Sequence, residues 1–213
     1  MGLTTFALGL AYVGSAVGIA VVIPQVLRTV ANPTMRGVSP WTWALAAISC
    51  SLWLTYGLRT ASMPQIPGNA VTIVGAFAIV VLVPAGWHRR ARAAALLGAM
   101  TALLALSTTL EPRQVGFLAF GVGQLAAWPQ VYETCWTRRG MGPSAISLAS
   151  QAFGIAAQSC WLAFALITTD VPVIIGASLA LVTFGLVTGV ELSRRRAAAR
   201  VDVPARWELQ AAA

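Results

Sequence analysis

Uncharged apolar stretches recur along the 213 residues, and nearly all of the charge falls in the short interruptions between them. Seven such stretches can be marked off, at about 4–27, 41–58, 65–87, 91–110, 114–135, 144–168 and 171–192. Each is close to the roughly 20 residues that a helix needs to cross about 30 Å of hydrocarbon. The pattern therefore predicts an all-α membrane protein of seven transmembrane helices. The connections are too short for a separate soluble domain. The opening MGLTTFALGL lacks a positive n-region and its apolar run is too long for an h-region, so the first stretch is expected to remain as a span and not to be cleaved.

The stretches also repeat. VVIPQVLRTV near the start is echoed by LAAWPQVYET, placing Pro24-Gln25 against Pro129-Gln130. Beyond these pairs Val38-Ser39 meets Ile146-Ser147, Trp53 meets Trp161, and GNAVTIVGAF from Gly68 meets GASLALVTFG from Gly176, each at an offset of 108 residues. The chain thus reads as a three-helix unit (1–88), a linker helix (89–112), a second three-helix unit (113–193) and a tail (194–213). Because the linker crosses once, both units enter from the same side, as parallel repeats about an axis along the membrane normal. Two such bundles facing each other enclose a central path.

Composition agrees with a bilayer. With 58% hydrophobic residues, 9% charged residues and a mean hydropathy of +0.77, the chain has more apolar surface than one globule of this size can bury. There is no lysine. Twelve of the fourteen arginines fall in odd-numbered loops or the tail (Arg28, Arg36, Arg89, Arg90, Arg92, Arg138, Arg139, Arg194, Arg195, Arg196, Arg200 and Arg206), leaving Arg59 and Arg113 in even loops. The positive-inside rule then places the N-terminus outside and the C-terminus in the cytoplasm. The same split accounts for the pI of 11.0 without nucleic acid, since the arginines flank spans and form no groove with interleaved aromatics. Cys50, Cys135 and Cys160 show no CxxC or His pairing and read as small packing residues, and His88 reads as interfacial.

The run PQV, then GVS, then SLWLTYGL, then GNAVTI resembles the PQ-loop superfamily, and within it the SWEET and SemiSWEET sugar transporters. The resemblance covers both repeats, nearly the whole chain apart from the linker helix and the tail. It implies a seven-helix, multi-pass protein of the plasma (inner) membrane that carries sugar. It also implies a pocket built from a Trp on the second helix of a unit and an Asn sixteen positions on, a spacing that Trp53 and Asn69 satisfy. In the second unit Trp161 is present, but Ala177 stands where the family has Asn, so the pocket is expected to be lopsided. The Pro-Gln helices are implied to swing, with Pro24 and Pro129 as hinges and Gln25 and Gln130 helping to satisfy freed backbone groups. Pro40 resembles a further family proline whose counterpart here is Leu148, so a four-proline arrangement is incomplete. In the small bacterial members Tyr, Arg and Asp close the outside; this chain divides that set, with Tyr56 and Arg59 in unit one and Asp170 in unit two, where Phe164 replaces the Tyr. Arg59 and Tyr56 are expected to meet Asp170.

The residues make a physical case of their own. Trp53 and Asn69 lie on neighbouring antiparallel helices, each a turn or two from the outer turn at about 59–64. A sugar ring offers an apolar C–H face, which indole packs, and a rim of hydroxyls, which a carboxamide satisfies as donor and acceptor. Taken singly, Trp53 reads equally as an aromatic-belt anchor and Asn69 as helix glue; their joint spacing and the repeat favour the pocket. Gln124, Gln151, Gln158, Ser49, Ser51, Ser159 and Thr72 also lie in spans, and Gln158, one turn before Trp161, is added to the pocket. A proline in a span removes a backbone hydrogen bond and permits a bend.

The six acids, Glu111, Glu133, Asp170, Glu191, Asp202 and Glu208, all sit at span ends, in loops or in the tail. A proton-driven carrier needs a titrating group within the membrane path, so facilitated, bidirectional sugar transport by alternating access is expected. No Ser/His/Asp, Cys/His or HExxH arrangement exists, and neither an enzyme nor a cofactor is expected. A carrier of another small solute such as an amino acid, or a non-transporting cargo receptor, stands as the alternative. The expected partners are a small sugar and the lipid bilayer, and a homo-oligomer is left open.

Overall fold

Seven α-helices and no strand make up the described residues: α1 (Leu3–Ala31), α2 (Pro40–Arg59), α3 (Gln65–Leu82), α4 (Arg89–Thr109), α5 (Pro112–Tyr132), α6 (Leu148–Thr168) and α7 (Val171–Ala211). A five-residue π-turn, Glu133–Thr137, continues α5. The structure is a computed structural model that describes residues 2–31, 40–82, 88–140, 142 and 146–211, without the side chains of Pro24, Gln25, residues 28–31, Pro40, Arg89 and residues 201–211. Val38 and Ser39 of the repeat lie outside the described residues, as do the side chains of Pro24 and Gln25.

Five helices are long and apolar enough to cross a membrane, over Leu3–Ile23, Gln65–Leu82, Arg90–Thr109, Leu148–Thr168 and Val171–Arg200. The other two of the seven expected spans, α2 and α5, are 20 and 21 residues long but less apolar. Their polar residues explain this. Thr42 and Ser49 on α2 and Gln124 and Gln130 on α5 line an internal cavity, where a hydroxyl or carboxamide does not face lipid. Of the tail expected at 194–213, residues 194–211 continue α7, through a stretch rich in the strong helix formers Ala and Arg.

The helices pack as a ring. Neighbours run α1, α3, α2, α5, α7, α6 and back to α1, while α4 lies against α2 and α3 on the outside. Small residues allow close approach at the seam between α2 and α5, where Ala47 and Ala119 are fully buried and Ser49 Oγ donates to the Ala119 carbonyl at 2.9 Å. Leu52 and Val115 fill the same core.

Two turns at one end of the ring share one geometry. After α2, Ala61 has φ 55°, and the Ser62 N–H donates to Gly57 O at 2.8 Å; after α6, Thr169 has φ 56°, and the Asp170 N–H donates to Ala165 O at 2.9 Å. These are Schellman closures, in which a left-handed residue lets the chain satisfy the last helical carbonyls. That conformation costs an L-residue on the order of 1 kcal/mol, and here two non-glycine residues adopt it 108 positions apart. The aromatic pairs a few residues earlier recur at the same offset. Trp53 meets Tyr56 edge to face (centroids 5.7 Å, 82° between planes), and Trp161 meets Phe164 the same way (5.9 Å, 83°).

The opposite end is closed by arginines of α7. Arg194 Nη2 donates to the carbonyls of Thr134 and Arg138 at 2.7 and 2.8 Å, satisfying groups that the end of the π-turn leaves free. Arg195 donates to Ile146 O and pairs with the fully buried Glu191 at 2.9 Å.

Candidate functional site

A cavity of about 660 Å³ lies inside the ring, and the six ring helices all contribute to its wall while α4 does not. It extends from Gln65, beside the end with the Schellman turns, to Gln130 and Val131 near the other end. No Asp, Glu, Lys, Arg or His lines it among the described residues. The wall is a mixture of small residues, aromatics and neutral hydrogen-bonding groups, which suits an uncharged, hydroxylated or amphipathic guest.

Trp53 and Trp161 both line this cavity, and each lies against a glycine of a facing helix. A Cβ added at Gly176 on α7 would stand 3.3 Å from Cζ2 of Trp53, and one at Gly14 on α1 would stand 3.2 Å from Nε1 of Trp161. So the indole of α2 reaches across to α7 and the indole of α6 reaches across to α1, and a side chain at either glycine would have to push an indole aside.

Asn69 lines the cavity too. Its Nδ2 bonds back to the Gln65 carbonyl at 2.7 Å, which uses one of its two N–H donors and leaves the other N–H and the acceptor Oδ1 for a guest. Thr72 on the same face bonds back to Gly68 O at 2.8 Å. Ala177 lies on α7 at the equivalent level, buried and apolar, and Gln158 is half-buried in the wall of α6. The five residues singled out for a pocket therefore border one space.

The three residues expected to meet at one end divide. Tyr56, 5% exposed, donates from its hydroxyl to Asp170 Oδ1 at 2.7 Å. Arg59 does not join them; its Nη1 donates to the Ser107 carbonyl on α4 at 2.7 Å, and no ion pair between Arg59 and Asp170 occurs among the described residues. The reason is position in the ring: the last turn of α2 has α4 on one side and α5 on another, and α4 presents a carbonyl freed near its C-terminus. Gly116 of α5 closes the contact from below, since a Cβ there would meet Pro172 at 2.7 Å and the Tyr56 ring at 3.1 Å.

Pro129 lies inside α5, and the π-turn begins four residues later. Gln130 does not turn back to the backbone groups that the proline frees, as the resemblance implied; its Nε2 reaches forward to Thr134 Oγ1 at 3.1 Å. Pro24 falls within α1, whose helix continues past it to Ala31.

Gln65 is the residue that the sequence reading missed. It is 3% exposed, it lines the cavity, and neither its Nε2 nor its Oε1 has a hydrogen-bond partner. As the first residue of the expected third span it gives no sign of burial, and only its offset of 108 from the apolar Val173 could have flagged it. Gln124 and Gln151, named earlier only as polar residues in spans, line the cavity with a buried, unpartnered Oε1 each.

No protein-family model matches the chain, and no curated protein is found to be similar to it.

Proposed function

We propose that this chain is a membrane carrier for a small neutral sugar, a bidirectional uniporter working by alternating access. The observation that carries the reading is the cavity of about 660 Å³, which sets two tryptophans and several carboxamides in a wall with no charged side chain among the described residues. Indole faces suit the C–H face of a sugar ring, and uncharged amides suit its hydroxyls. A wall without an acid or a histidine among the described residues supports movement down a gradient and argues against proton coupling.

The rest of the reading follows from the repeat. Units 1–88 and 113–193, each of three helices, are joined by a linker helix, with the N-terminus outside and the C-terminus in the cytoplasm of the plasma (inner) membrane. The neighbour order of the ring supports it, because α3 lies against α1 and α2, and α7 against α5 and α6. So do the paired Schellman turns and the paired aromatics, each 108 residues apart. The resemblance to the SWEET transporters rests on the sequence motifs alone. On this reading the Tyr56–Asp170 contact closes the outside, and the cavity faces the cytoplasm.

Counterflow of labelled sugars and amino acids in proteoliposomes tests the proposal. Exchange of a sugar, indifferent to a protonophore or to sodium, is the expected result. Exchange of amino acids alone, or accumulation driven by a proton gradient, would overturn it.

A further inference from the structure

We infer that the cavity holds a second ring subsite one helical turn inward of the two indoles, built by Gln158 and Gln124, and that the guest is a disaccharide; the inference rests on the transport reading above and names its substrate class. The wall runs well past the tryptophans. On α7 it extends from Val173 to Val187, a rise of about 21 Å at 1.5 Å per residue. A pyranose ring seated beside Trp53 and Trp161 occupies only the outer part of that length. The next level inward is polar. Gln158 precedes Trp161 by three residues, which sets it about 4.5 Å inward along α6. Gln124 on α5 comes to a similar level, because a Cβ at the adjacent Gly123 would stand 3.0 Å from Oγ of Ser49, and Ser49 is one turn before Trp53. Both glutamines line the cavity and both are half-buried. Among the described residues no hydrogen bond reaches either polar atom of the Gln158 amide, and neither atom is closed off. Gln124 has only its Oε1 closed off, which leaves Nε2 on the open side.

The polar groups of the two levels lie in opposite halves of the chain. At the level of the indoles the carboxamide is Asn69 in the first unit, and the second unit offers Ala177. One turn inward the order reverses. Gln158 and Gln124 both belong to the second unit, and their counterparts in the first are Cys50, at the offset of 108, and Ile19, at the offset of 105 that the two Pro-Gln pairs set. The hydroxyls near this inner level are spent as donors, Ser49 on the Ala119 carbonyl at 2.9 Å and Thr72 on Gly68 O at 2.8 Å. Free N–H groups there come from the two glutamines. A single ring cannot present hydroxyls to α3 at one level and to α5 and α6 a turn, about 5.4 Å, further in. Two rings joined through one oxygen are spaced by a similar length, and each carries its own rim of hydroxyls. The outer ring then packs on indole and bonds Asn69, while the inner ring bonds Gln158 and Gln124.

The test uses the purified full chain and equilibrium binding of radiolabelled D-glucose, sucrose, maltose and trehalose. At least one of the three disaccharides is expected to bind the unaltered protein roughly tenfold or more tightly than D-glucose, the effect of two added hydrogen bonds. Gln158→Leu should cut that preference roughly three- to tenfold, and Gln124→Leu should act in the same direction. Asn69→Ala, which touches the outer ring common to both kinds of sugar, should weaken each and leave their ratio within about twofold. If Gln158→Leu does not fold, Gln158→Met carries the same readout. D-glucose bound as tightly as every disaccharide would overturn the second subsite and leave the carrier intact. Equal losses for D-glucose and disaccharide in both glutamine variants would overturn it too, as the mark of a structural role. Binding of none of the four sugars by the unaltered protein would overturn the transport reading itself, and this inference with it.

Discussion

The hydroxyl of Tyr56 donates to Asp170 Oδ1 at 2.7 Å, tying the last turn of α2 to the residue that precedes α7. The same carboxylate oxygen accepts the Val173 N–H at 3.3 Å, so Asp170 caps α7 as well as holding Tyr56. Two substitutions separate the roles. Tyr56→Phe removes the tie alone, and Phe is already the residue at position 164 in the second aromatic pair. It should leave the melting temperature nearly unchanged and raise labelling of cysteines placed in the cavity from the Tyr56 side by about fivefold, the effect of ~1 kcal/mol on a two-state balance. Asp170→Ala should raise the labelling likewise but also destabilise the protein by about 0.5–2 kcal/mol through the lost cap. Equal effects of both substitutions on stability would count against the division.

Arg59 belongs to a different contact, and its energetics should say so. With its guanidinium on Ser107 O, Arg59→Ala should weaken the seating of α4 on α2. Combined with Asp170→Ala, its effect on the unfolding transition should be additive within about 0.5 kcal/mol, as for groups that share no partner. A larger coupling energy would mean that the two charges meet in some populated state of the protein.

The two tryptophans make separable contributions. Trp53→Ala and Trp161→Ala each remove an indole from the wall of one cavity, from α2 and α6 respectively. Each should weaken sugar binding by about 0.5–1.5 kcal/mol beyond any loss of buried area. Asn69→Ala, which deletes the carboxamide, should cost about 0.5–1.5 kcal/mol of affinity. Titration calorimetry on folded, monodisperse variants reads both, and an Asn69→Ala protein of normal affinity would remove that residue from the pocket.

Pro129 sits where α5 gives way to the π-turn, and the segment beyond it is pinned by Gln130 to Thr134 and by Arg194 to the Thr134 carbonyl. Pro129→Ala restores an N–H donor and a straighter helix. Counterflow should slow several-fold while equilibrium affinity changes by less than twofold, a split that ordinary destabilisation of the pocket does not produce. Parallel loss of rate and affinity would mark the proline as a static kink.

Much of this arrangement was legible in the sequence because helices long and apolar enough to cross a membrane follow a simple code. Apolar runs of fixed length gave the helices, and Trp53 with Trp161 could be set in register because indoles are rare and conspicuous. What escaped depended on neighbours that a linear pattern does not specify. Gln65 was hidden because a polar residue at the first position of a span resembles any interfacial residue until burial is known. The partner of Arg59 was misjudged because charge pairing across the axis was weighed, whereas the adjacent carbonyl of Ser107 on α4 was nearer to hand. The length of α7 was cut short because the end of an apolar run marks the edge of hydrocarbon, which need not be the end of a helix. The π-turn after Pro129 left no compositional trace at all.

The position of α3 in the ring bears on how the chain is made. Consecutive elements are usually neighbours in space, yet here α3 lies against both α1 and α2, and α7 against both α5 and α6. During synthesis the first two helices emerge before the third, and they cannot take their final seats until it slides in beside both. The same wait recurs with α5, α6 and α7. A chain ending before Ile66 would hold α1 and α2 as an unfinished pair, with Ser15 still lacking the Gly68 N–H that it accepts at 3.0 Å in the finished molecule. Assembly in each half therefore waits on its last helix to be translated, and the faces that this helix covers stay open in that interval.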